Sequence, residues 1–98
     1  MKGLISLKAF ANEISDLNFI DEVKEIEDDL INIKIHDDRL KLIAYEFDNK
    51  YFTDDFVIMM KVKLEEIWVM CMGMISQFVK LDIQHLEDDW FSIGVKAK

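Results

Sequence analysis

A chain of 98 residues that is 51% hydrophobic and 33% charged suits one folded domain over residues 1–98 and lies far from the composition of disordered chains. Its formal net charge of −8 argues against a nucleic-acid ligand, because phosphate binding needs a basic stripe. A single cysteine, Cys71, excludes an intrachain disulfide and fits a cytoplasmic protein.

At the start of the chain, Leu4, Leu7, Phe10, Ile14 and Leu17 recur at spacings of three and four, which predicts one face of an amphipathic helix. Lys8 and Asn12–Glu13 break the apolar run too early for a secretory signal. Ile20, Val23, Ile26 or Glu27, and Leu30 then predict a second helix, or the continuation of one kinked helix, with Asn18 as its N-cap and Asp21–Glu22 in its first turn. At Ile31 the period changes to two. Ile31, Ile33 and Ile35 alternate with polar residues as in a half-buried strand, and Asp37–Asp38 reads as the turn into a partner strand containing Leu40, Leu42, Tyr45 and Phe47.

Phe56–Ile75, FVIMMKVKLEEIWVMCMGMI, is the most apolar stretch. Lys61, Lys63, Glu65 and Glu66 interrupt it, so no membrane span is expected. Two readings compete. Val57, Ile58, Val62, Ile67 and Val69 favour two central strands, and Gly73 would cost roughly 1 kcal/mol inside a helix. A helix capped by Thr53 could instead run through Leu64, Ile67, Cys71, Ile75 and Phe78. The strand reading is the expectation. Val79, Ile83, Leu86 and Trp90, spaced four, three and four, predict a last helix, and Phe91, Ile93 and Val95 predict a short final strand. The expected fold is α+β: an N-terminal helix pair, then a mainly antiparallel sheet of about four strands with a C-terminal helix packed on it.

The chain has no G-x-G-x-x-G, P-loop, G-x-S-x-G or C-x-x-C motif, and only three glycines from which to build a phosphate loop. His36 and His85 each stand beside acids, as chance would produce among 20 carboxylates. EFDNKYFTDD lacks the glycine of a calcium loop. No enzymatic activity, metal or cofactor is therefore expected. Cys71, set in VMCMG, reads as a small buried hydrophobe.

Charge offers a better lead. Asn12–Asp29 carries −7 and Asp82–Asp89 carries −4, so the acids are concentrated in two segments. Asp21, Glu22, Glu25, Asp28 and Asp29 would crowd one helix, where like charges one turn apart repel and a basic partner would relieve them. Glu87, Asp88 and Asp89 lead directly into Trp90, a residue type common at binding hot spots. These nine residues are the candidate partner-binding set. The expected function is that of a small acidic inhibitor, immunity-type or antitoxin-like, which binds and occludes a basic partner protein such as a nuclease-type toxin. The alternative is a structural or chaperone-like homodimeric adaptor that uses the apolar Phe56–Ile75 sheet as its interface, with no membrane partner in either case.

Overall fold

The structure is a computed structural model and describes residues 5–35, 52–87 and 89–98. A short helix α1 (Lys8–Ile14) leads into a hairpin of β1 (Ile20–Glu27) and β2 (Leu30–Ile35). The long helix α2 (Phe52–Met72) and a 3₁₀ segment (Gly73–Gln77) lead into a second hairpin, β3 (Val79–His85) and β4 (Trp90–Ala97). The two hairpins join into a four-stranded sheet of order β1-β2-β4-β3, antiparallel at every pairing. The α+β class and the four-stranded antiparallel sheet agree with the sequence reading. The order of elements among the described residues, helix, hairpin, helix, hairpin, does not.

One face of the sheet carries Ile31, Ile33 and Ile35 of β2, Phe91 and Ile93 of β4, and Val79 and Leu81 of β3. These pack into one cluster with Phe10, Ala11 and Ile14 of α1 and with Met60, Leu64 and Trp68 of α2, so both helices cover the same face. Trp68 is the largest fully buried side chain. Its Nε1–H donates to the Val79 carbonyl at 3.0 Å, and its ring meets Phe10 edge to face at 5.9 Å. It thereby ties α2 to both α1 and β3.

Three expected elements are corrected. Ile20–Glu27 is an edge strand and not a second helix. Ile20 and Val23 look helical because they are three residues apart. Their partners Ile35 and Ile33 are only two apart, so a bulge near Asp21 keeps both on the core face. A second irregularity inserts Ile26 between Glu25, opposite Ile31, and Glu27, opposite Leu30. The strand also relieves the like-charge crowding that a helix would impose, and it sets Glu22 opposite Lys34.

Phe52–Met72 is one helix and not two strands. Met60, Leu64 and Trp68 are spaced by four and are its most buried described residues, a contact that outweighs the β propensity of its valines and isoleucines. Gly73 lies just past the helix end with φ at +57°, the left-handed position that favours glycine. It stops α2 and so costs the helix interior nothing. Finally, Val79–His85 is a strand and not part of a last helix. Val79, Leu81 and Ile83 alternate with Lys80, Asp82 and Gln84, and β4 pairs with the whole run. The expected partner strand at Leu40–Phe47, with its Asp37–Asp38 turn and His36, lies outside the described residues.

The sheet's two edges differ. At β3 the Leu81 N–H donates to the Glu65 carboxylate of α2 at 3.2 Å, which occupies an edge donor. At β1 the edge carries bulges and a run of charges, both of which discourage another strand from adding to it.

Candidate partner-binding surface

β1 and its turn into β2 bring the first acidic segment to the rim of the sheet. Asp21, Glu22, Glu25, Glu27 and Asp28 are exposed, and Asp29 is half-buried. The helix predicted for them would have formed one continuous acidic stripe. The strand divides them instead between the two ends of the hairpin.

At one end, Glu22, Lys34 and Trp90 form a transverse row across β1, β2 and β4 on the face away from the core. Lys34 Nζ lies 3.8 Å from Asp21 Oδ2, and Lys24 Nζ sits 4.8 Å above the Trp90 ring. Trp90 is half-buried, with the Lys24 cation over its ring as well as acids beside it in sequence. It does not finish the core face of a helix. Glu87 is exposed in the β3–β4 turn, where its carbonyl accepts the Trp90 N–H at 3.0 Å. The half-buried Asp89 offers its carbonyl to the Ile35 N–H at 2.8 Å. Asp88 lies outside the described residues.

At the other end, Glu25, Glu27 and Asp28 line an open cavity of about 320 Å³ with Ser6, Lys8, Ile26 and Ile31. The Leu7 N–H donates to the Asp28 carbonyl at 2.7 Å and so anchors the N-terminal segment beside this cavity. Glu22, Glu25 and Asp28 make no ion pair among the described residues, whereas Asp21 is paired with Lys34. The sequence reading omitted Glu27, Lys24 and Lys34. Only a strand register places them, and a helical projection cannot supply one.

Among the described residues, no group of three or more His, Cys, Asp or Glu side chains could hold a metal ion. His85 stacks on Phe91 with ring centroids 4.7 Å apart. No helix is long and apolar enough, among the described residues, to cross a membrane. Cys71 is half-buried on α2. Burial, and secondarily the Glu13 carboxylate, push its thiol above the ordinary value of 9.0. Less thiolate at neutral pH means slower attack, so iodoacetamide should modify the folded chain several-fold more slowly than the same chain in urea. Equal rates in the two states would contradict this placement.

No protein-family model, no curated protein and no solved structure matches this chain. Any assignment of function therefore rests on the surface itself.

Proposed function

We propose that the protein is a small acidic binding protein, of the inhibitor or immunity type, that occludes a basic partner protein such as a nuclease-type toxin. The observation that carries this reading is the display of Glu22, Glu25 and Asp28, exposed and without ion pairs among the described residues, along one bulged sheet edge. Carboxylates at such a rim present negative charge where a cationic cleft would otherwise receive phosphate. Complementary charge mainly speeds encounter, by about 10- to 1,000-fold at low salt, and apolar contacts then slow release. On this edge Glu25, Glu27 and Asp28 supply the charge around the cavity. At the far end of the hairpin, Asp21 and Glu22, with Glu87 and Asp89 of the neighbouring turn, flank Trp90 as the aromatic anchor, and Asp88 belongs to the same acidic run in sequence. The chain carries out no chemical step, and inhibition follows from covering the partner's cleft.

The test begins with the product of the neighbouring reading frame in the native host. Purified and mixed with this chain, it is expected to be basic and to form a complex whose association rate falls steeply as salt rises. A neutral or acidic neighbour that forms no complex, together with capture of no basic protein from host extract by the immobilised chain, overturns the reading.

A further inference from the structure

Helix α2 is apolar on two sides. Met60, Leu64 and Trp68 face the core, yet on the opposite side Ile58 and Met59 are each 58% exposed, Val62 is 54%, Val69 is 50% and Met70 is 83%. A surface helix normally turns a polar face to water, and contiguous exposed apolar patches generally mark an interaction site.

The polar residues on this outer side identify the occupant. Met59, Lys63, Glu66 and Met70 follow one another at spacings of four, three and four, so they form one stripe along the helix. All four are exposed, and Val62 and Val69 flank them. The stripe is self-complementary when reversed. If a second α2 lies against it antiparallel, Met59 meets the second copy's Met70, and Lys63 meets its Glu66. The same two contacts then repeat across the two-fold axis.

The order of charges is consistent with this arrangement. Lys61 and Lys63 precede Glu65 and Glu66, whereas the favoured intrahelical order puts acid before base. The sequence thus forgoes the better local order, while an antiparallel pair adds two Lys63–Glu66 contacts between the chains. Glu65 is engaged within its own chain by the Leu81 N–H, which leaves Glu66 to face outward.

We infer that the outer face of α2 is a homodimer interface in which two copies pack as an antiparallel, two-fold helix pair, with reciprocal Lys63–Glu66 contacts setting the register. Apolar residues supply the association, and the polar pair selects the alignment, as charged positions do at the margins of coiled-coil seams. This interface is separate from the acidic edge of β1 and stands whether or not that edge binds a basic partner.

Sedimentation equilibrium of the purified full chain tests the proposal. The expected mass is twice the chain's 11.6 kDa at high concentration. Lys63→Glu and Glu66→Lys each replace two attractive contacts with two repulsive ones, and each is expected to weaken the dimer by roughly tenfold. Mixing the two variants places glutamates opposite lysines at both contacts, so a heterodimer is expected to recover wild-type affinity. Met70→Glu, at the most exposed position, should leave a folded monomer by circular dichroism. A wild-type chain that stays monomeric, which would leave the face to some other occupant, overturns the inference. A dimer indifferent to Met70→Glu and to both charge variants does the same, because its interface lies elsewhere. Failure of the mixed variants to recover overturns the antiparallel register.

Discussion

Trp68→Ala is expected to lower stability by about 3–5 kcal/mol, the usual range for truncating a large aromatic side chain in a packed core. The residue has no exposed surface, and its indole joins α2 to Phe10 on α1 and to the Val79 carbonyl on β3. Removing the ring opens a cavity between three elements and leaves that carbonyl without its indole donor, which adds roughly 1 kcal/mol. Small domains hold only about 5–15 kcal/mol in total, so the melting temperature should fall by roughly 15–30 °C. Trp68→Phe keeps most of the apolar volume but loses the Nε1 donor, and should cost about 1–3 kcal/mol. Urea denaturation followed by far-ultraviolet circular dichroism separates the two variants. A Trp68→Ala midpoint close to the wild type would mean that the core is not centred on this residue.

The same residue shows why part of the fold was legible in the sequence and part was not. Phe56–Ile75 stood out as the most apolar stretch, and Met60, Leu64 and Trp68 within it form a core contact. Its secondary structure was obscured because apolar residues surround the helix on both sides, which removes the periodic contrast from which a helix is usually read. In β1 the misleading signal came from a bulge, since one inserted residue gives Ile20 and Val23 a helical spacing while both stay on the core face. At β3 the correct signal was present. Val79, Leu81 and Ile83 alternate cleanly, but a four-three-four spacing through Leu86 and Trp90 matched a helix as well. That second pattern has no structural counterpart, because Trp90 sits on the outer face beside Lys24.

For the candidate surface, composition alone indicated that the acids are exposed, and it could not show which of them lie together. The division follows from register. Pairing with Lys34 fixes Glu22 at the Trp90 end, and the regular register from Val23 to Glu25 sets Glu25 opposite Ile31, next to the irregularity at Ile26 and near the Asp28 turn. A sequence read as a helix gives every acid the same neighbours along one stripe, and so it misses the cations at Lys24 and Lys34.

Reversing Glu22, Glu25 and Asp28 to lysine is expected to abolish binding to a basic partner while the chain remains folded. The three substitutions change charge by two units each and move the formal net charge from −8 to −2. Asp21 is left intact because it holds Lys34 at 3.8 Å. The folding cost should be small, since all three side chains are exposed, and the main penalty arises where residue 22 faces Lys34 across the strands, below about 1 kcal/mol. The effect on binding should be larger. Loss of steering slows association by about 10- to 1,000-fold, and like charges pressed together at the contact also hasten release. Neutral replacements, Glu22→Gln, Glu25→Gln and Asp28→Asn, should fall between the reversed and wild-type chains. The gap between variants should narrow as salt shortens the screening length from about 8 Å at physiological strength to about 3 Å at 1 M. Stopped-flow association at several salt concentrations measures both trends. If all three chains bind alike, the acids of β1 serve only to hydrate and protect a sheet edge, and recognition must lie on another face.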